Sequence, residues 1–235
     1  SRVKWSDVFL MDGGDSIFGN AFYRHLDQGF YEEMSDDLSL ENYWPWGPSV
    51  GDLNADGYDD IFVTASMNYP FRYAVNSIFL NENGKTFKNS EFILGIEPRL
   101  GGNTATPWFP LDCSEYDVGH QDCVKGNLTG HNVVWGASGS RSSVVFDIDL
   151  DGDLDIVVTD FNATPMILKS NLTNQTKVNY LKVGLVGVAS NKNGIGSTVQ
   201  VYSGGEIYTK FVDGKSGYLS QSVLPLYFGL DESVE

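Results

Sequence analysis

The chain has 235 residues, 41% hydrophobic and 13% aromatic, so it carries enough apolar material for a sizeable core and is not a disordered polymer. Its 31 acidic against 15 basic residues leave a formal charge of −16, which argues against nucleic acid and anionic membrane surfaces, since both demand clustered Lys and Arg. No apolar run approaches the roughly 18 residues of a membrane span, and no basic-then-apolar leader opens the sequence, so Ser1 is expected to be a mature or excised end.

From Ser1 to Asn20 the pattern is weak, with a Gly-rich turn at Met11–Ser16. Ala21–Leu26 and Phe30–Glu33 are predicted as short strands around the turn Asp27-Gln28-Gly29. A polar connection, MSDDLSLENY, leads to the aromatic cluster Trp44-Pro45-Trp46-Gly47-Pro48 and then to an acidic loop. Ile61–Ala65 is predicted as a buried strand, and the turn-rich stretch MNYPFRYAVN follows it. Ser77–Leu80 and Thr86–Phe87 form another predicted strand pair, around Glu82-Asn83-Gly84. AFYRHLDQGFYEE and SIFLNENGKTFKN share one grammar of apolar strand, Asn/Asp/Gly turn and Phe-led strand, which is an internal repeat.

A second acidic loop lies farther downstream than one repeat unit needs, and the extra length falls at about 99–139. That stretch is expected to be an insertion between strands of one unit. It holds Cys113 and Cys123, the only cysteines, and their predicted local disulfide would be worth roughly 2–3 kcal/mol. Four N-x-S/T sequons, at Asn127, Asn162, Asn171 and Asn174, join the cysteines in favouring a secreted glycoprotein. At Phe161–Asn179 the sequence turns polar, as at a domain boundary. Beyond it Tyr180–Val188, Thr198–Tyr202 and Ile207–Val212 are predicted strands, punctuated by glycines, of a small antiparallel sheet or barrel.

The acidic loops carry the chemistry. SVGDLNADGYDDIFVT holds Asp52, Asn54, Asp56, Tyr58 and Asp60; SVVFDIDLDGDLDIVVT holds Asp147, Asp149, Asp151, Asp153 and Asp155 at the same offsets. Calcium takes about six to eight oxygen ligands, and side chains at alternate positions of a tight loop converge on one point. Positions one, three, five and nine then supply side-chain oxygens, position seven its backbone carbonyl, and a glycine at six allows the sharp turn. On this scheme Asp153 offers its carbonyl and leaves its side chain free. An EF-hand is rejected, because its position twelve should be Glu between helices and here is Val63 or Val158 in a strand. Surface turns rich in Asp and Gly are common, but two loops matching at five offsets need a shared cause. Unscreened, their carboxylates would also repel. Two Ca2+ sites are expected.

D-x-[DN]-x-D-G-x-x-D followed by an apolar strand resembles the FG-GAP/VCBS repeat of integrin α-type β-propellers. The tail, with GIGSTVQVYSGG, SGYLSQS and LYFGL, resembles the ASPIC/UnbV domain. That order is similar to the cartilage acidic protein family of secreted calcium-binding glycoproteins. The resemblance implies an all-β chain. Residues 1–170 would be FG-GAP/VCBS blades of a partial propeller, and 179–235 a truncated ASPIC/UnbV-like domain. Such propellers have about seven blades, and two recognisable units cannot close a ring. A fragment, a proteolytic product, or a protomer completed by neighbours is therefore expected, the last predicting a homo-oligomer or filament built through open β edges.

Three functions compete. The first is a non-enzymatic extracellular scaffold for adhesion or matrix assembly, with protein or glycan ligands, structural calcium, and no membrane span or nucleic acid. The second is a carbohydrate-binding module using Trp44, Trp46, Trp108 and Trp135, although buried core indoles are the commoner use. The third is an enzyme drawing on His25, His120 and His131, of which His120 and His131 would form a metal pair. No nucleophile elbow, HExxH, P-loop or Rossmann pattern supports it, and nothing places a base beside Ser216, Ser220 or Ser222. The chain is expected not to be an enzyme.

Overall fold

The computed structural model describes residues 20–67 and 73–230. The turn expected at Met11–Ser16 lies outside them, as does part of the turn-rich stretch after Ala65. The described chain is all-β, with fifteen strands in antiparallel sheets, none of them closed, and only short helical turns.

A hairpin of β1 (Tyr23–His25) and β2 (Tyr31–Glu33) precedes a four-stranded sheet. That sheet runs β3-β4-β5-β6, from β3 (Pro45–Gly51) through β4 (Asp60–Ala65) and β5 (Ser77–Glu82) to β6 (Thr86–Asn89). A second sheet orders β11-β10-β9, from β9 (Ser140–Phe146), β10 (Asp155–Asp160) and β11 (Met166–Leu168). Between them β7 (Ala105–Asp112) and β8 (His131–Ala137) form their own hairpin out of the cysteine-bearing stretch. Its tip carries the helical turn α1 (Gln121–Gly126) and the disulfide Cys113–Cys123, whose Cα atoms are 5.4 Å apart. Both cysteines are buried beside Leu111, giving the tip a small core of its own.

The stacking of sheets follows from alternation along each strand. In β4 and β5, Phe62 and Ile78 point to one face and meet Ile156 and Val158 of the second sheet. Their neighbours Val63 and Phe79 point to the other face and meet Phe22, Leu38 and Leu40 next to the first hairpin. A sheet buried on both faces needs runs such as IFV and SIF, which is why these strands were visible in the sequence. Such face-to-face layering of small sheets is the arrangement of propeller blades, here in an open, partial set.

The internal repeat is confirmed at the backbone. Met34 N bonds Phe22 O as Ser90 N bonds Ile78 O, both at 2.8 Å. Leu40 N bonds Ser35 O and Ile96 N bonds Glu91 O, both at 2.9 Å. The two hairpin turns carry left-handed pairs, Gln28–Gly29 and Asn83–Gly84, as tight antiparallel turns require.

The tail departs from expectation in three ways. The strand expected over Tyr180–Val188 is β12 (Asn179–Val183) and stops early, because its partner β15 (Leu226–Leu230) begins at Leu226, opposite Val183. The strand β15 was not anticipated. And β12–β15 and β13 (Thr198–Ser203)–β14 (Glu206–Phe211) are separate two-stranded sheets rather than one sheet or barrel. Upstream, the aromatic cluster, for which no element was expected, is largely strand, since β3 begins at Pro45; β3 edges its sheet, where proline is tolerated.

The tail lies against the blades. Gly217 N donates to Pro48 O at 2.9 Å, and Ser216 Oγ donates to Ser143 O at 2.8 Å. Ser49 Oγ lies 2.7 Å from Ser143 Oγ, so the tail sits where β3 and β9 adjoin. Gly217 has φ +61°, and a Cβ there would strike the backbone of Ser143. Gly217→Val is therefore expected to destabilise the chain by about 2 kcal/mol or more in urea unfolding, whereas Leu219→Ala, at an exposed side chain, should change it by under about 0.5 kcal/mol.

Candidate metal centre

Each acidic loop is the turn between the first two strands of its sheet, joining β3 to β4 and β9 to β10. The backbone enters the left-handed region twice in each, at Ala55 and Gly57 and at Leu150 and Gly152. This folds the chain back so that amides point inward.

The first and ninth carboxylates receive those amides. Asp52 accepts from Asp56 N at 3.0 Å and Gly57 N at 2.9 Å, and Asp147 accepts from Asp151 N at 3.1 Å and Gly152 N at 3.0 Å. Asp60 accepts from Leu53 N at 2.7 Å and Asn81 N at 2.8 Å, and Asp155 from Ile148 N at 2.9 Å and Ser170 N at 2.8 Å. The fifth residue repeats as well: Asp56 accepts from Tyr58 N at 2.9 Å and Asp151 from Asp153 N at 3.2 Å. Asn81 and Ser170 lie at or beyond the ends of β5 and β11, so each ninth carboxylate ties the acidic loop to the next strand's turn.

The third and fifth residues stay nearer the solvent. In the second loop Asp147, Asp149 and Asp151 each place an oxygen within 4.8 Å of the other two, a group able to hold a metal ion. In the first loop Asn54 Nδ2 donates to Asp56 Oδ2 at 2.9 Å. All these donors are oxygens, the set that suits a hard cation such as Ca2+. The histidines do not join them. His25 packs edge-on against Tyr31, His120 caps α1 by accepting from Asp122 N, and His131 begins β8; the grouped acids contain no histidine.

Asp153 corrects an expectation. Its side chain is not free: Oδ2 accepts from Thr173 N at 2.9 Å and from Thr173 Oγ1 at 3.1 Å, at the short helix α2 (Leu172–Gln175). Its Oδ1 is buried without a hydrogen-bond partner.

Electrostatics register the crowding. Burial pushes Asp60 up to about 7, against the lowering effect of its bonds from Asn81 and Leu53. Burial likewise pushes Asp52 up to about 6, opposed first by the charge of Lys210. Asp155 is raised by burial too. On the surface, a hydrogen bond from Lys169 holds Asp149 below the usual carboxylate range.

Sequence reasoning missed the tail's share of the site. Gly229 N donates to Asp52 Oδ2 at 2.9 Å, Lys182 pairs with Asp147, and Lys210 pairs with Asp59. Tyr227 donates its hydroxyl to Gly152 O at 2.8 Å and stacks on Tyr180. The rings of Tyr208 and Tyr180 lie against Gly57 and Gly152, where a Cβ would collide with them. One signal was present: Tyr180-Leu181-Lys182 and Tyr208-Thr209-Lys210 repeat a Tyr-x-Lys pattern, each laid on one loop.

Both loops thus occupy the same place, in the turn between the first two strands of stacked antiparallel sheets. Residues 44–84 match the family model described as the FG-GAP repeat, and residues 187–235 match that described as ASPIC and UnbV. The chain thus carries an FG-GAP repeat followed by an ASPIC/UnbV domain. The FG-GAP match takes in the first loop, and the shared hydrogen bonds relate the second loop to it. No curated protein matches the chain.

A carboxylate raised in the fold binds its proton more tightly there than in the unfolded chain. Its contribution to stability is full below the ordinary value of 3.8 and is lost as pH rises through the folded value. In chelator, the unfolding temperature is expected to fall as pH rises from 4 toward 7, through the values of Asp52 and Asp60; calorimetry across that range checks it.

Proposed function

We propose that this chain is a calcium-stiffened, non-enzymatic module of a secreted glycoprotein, serving adhesion or matrix assembly. An FG-GAP repeat joined to an ASPIC/UnbV domain fits a protein of the extracellular adhesion type, and FG-GAP repeats often bind Ca2+. The observation that carries the calcium reading is the pair of loops with the same amide-to-carboxylate pattern, the second of which also groups the oxygens of Asp147, Asp149 and Asp151.

In this reading Asp52, Asn54, Asp56 and Asp60 hold one cation with the carbonyl of Tyr58. Asp147, Asp149, Asp151 and Asp155 hold the second with the carbonyl of Asp153. The cation offsets repulsion among the carboxylates and ties the turn between two strands to the turn after the third. The role is structural, since neither loop presents a nucleophile and base together. Ser216 and Ser220 bond to carbonyls and to other serine hydroxyls.

Secretion is supported by the disulfide and by the placement of the sequons, since Asn127, Asn162, Asn171 and Asn174 are all exposed. Among the described residues no helix is long and apolar enough to cross a membrane. Extracellular protein or glycan ligands are the partners proposed. Self-association completes the reading, because β6 and β11 each pair on one side only among the described strands.

The carbohydrate-binding alternative rests on the most open of its four indoles, since Trp44 packs edge-on against Tyr43. Trp46 donates to Ser66 O under the Arg141 guanidinium, and Trp108 packs edge-on against Phe161. Trp135, 55% exposed on β8, is the indole open to a sugar face; loss of glycan-array binding in Trp135→Ala would favour that reading.

Removing calcium with EDTA is expected to lower the unfolding temperature by several degrees and to speed proteolysis, with both restored by added Ca2+. Asp56→Asn and Asp151→Asn should each reduce that calcium-dependent gain, and an identical melting curve in EDTA and Ca2+ would sink the role.

A further inference from the structure

The two loops share their internal hydrogen bonds but not their outer partners. At the first loop the tail reaches the position-one carboxylate with a neutral group: Gly229 N of β15 donates to Asp52 Oδ2. At the second loop the corresponding oxygen, Asp147 Oδ2, is met by the ammonium of Lys182 on β12, the strand paired with β15. The Asp147 side chain is fully buried and that of Lys182 is 27% exposed, so this charge is poorly screened by water. A second ammonium, Lys169, pairs with Asp149 at position three. Thus two of the three acids grouped in the second loop already hold a cationic side chain.

The first loop has a different balance. Its third position is the neutral Asn54, and its nearby lysine, Lys210, pairs with Asp59, which the coordination scheme leaves out. The charge of Lys210 reaches Asp52 through space but does not bond to it. The second loop therefore has one more carboxylate, and two lysines sit directly on its candidate ligands.

We propose that Lys182 is an affinity-setting residue of the second loop, a built-in counterion that a divalent cation must displace from Asp147 or bind beside. This rests on the calcium reading above. Two cations on one buried carboxylate repel, so the second loop binds Ca2+ more weakly than the first and fills after it. Because Lys182 belongs to β12, a cation that displaces it also withdraws a contact that holds the tail on the blades. The first loop, met by a backbone amide, fills with the tail in place.

The test is calorimetric titration of the whole chain with CaCl2 at fixed ionic strength. Wild type is expected to show two binding events, with Asp151→Asn abolishing the weaker. Lys182→Met should tighten the weaker event about tenfold and leave the tighter one unchanged, as expected when a like charge within a few ångströms is removed. Lys182→Arg, which keeps the charge, should stay close to wild type. Melting in chelator shows whether each variant is folded, and if Lys182→Met is not, Lys182→Gln is titrated with the same expectation. The proposal is overturned if neutral variants leave the weaker event unchanged or weaken it, or if Asp151→Asn removes the tighter event. A wild type with one event and a Lys182→Met chain with two would support it. Absence of any calcium binding in wild type and neutral variants overturns the calcium reading itself, a result distinct from two events indifferent to Lys182.

Discussion

The structure depends on two carboxylates in each acidic loop that are buried and yet fully engaged by backbone amides. Asp52 and Asp60 are 1% and 0% exposed, and Asp147 and Asp155 are 6% and 0%. Burying a carboxylate is costly unless donors surround it, and here the loop supplies them by turning its own N–H groups inward. The left-handed residues at positions four and six make that inward turn possible. The ninth carboxylate then reaches a third turn through Asn81 or Ser170, so one side chain fastens three strands of a small sheet.

That fastening explains why thin sheets can stack as they do. The four-stranded sheet cannot bury its apolar runs alone, and its stability comes from presenting Phe62 and Ile78 to one neighbour and Val63 and Phe79 to the other. Such stacking needs strand ends held in register, and the acidic loops hold them at one end. Ahead of the β7–β8 hairpin, buried Arg99 pairs with Asp160 at the end of β10 and donates to Ser140, joining that segment to the second sheet. Removing one member of such a buried pair typically costs about 3–5 kcal/mol, because the other is left uncompensated.

The tail is a third party to this arrangement. Its contacts concentrate on the loops, through Gly229, Lys182, Lys210 and Tyr227, and on the line where β3 adjoins β9, through Ser216 and Gly217. Within the segment that matches the ASPIC/UnbV model, Lys210, Tyr227 and Gly229 all reach the acidic turns. Aromatic rings against Gly57 and Gly152 give those glycines a second duty beyond backbone freedom, since any side chain there would meet a tyrosine.

The sequence by itself determined the two loops, their equivalence, the strands buried on both faces and the internal repeat. Each of these is local: a spacing of Asp and Gly, a run of β-formers, a turn between short strands. The disulfide was legible for the same reason, because its cysteines are ten residues apart. Only the tertiary structure decided what is made by distant partners. The strand β15 exists because β12 pairs with it across the whole tail, and β12 ends where that pairing ends. The buried role of Asp153 depends on Thr173, twenty residues on, and the lysine on Asp147 arrives from β12, thirty-five residues on. Spacing within a loop specifies which oxygens converge, but the charges set against them come from segments that meet only when the blades and tail have packed.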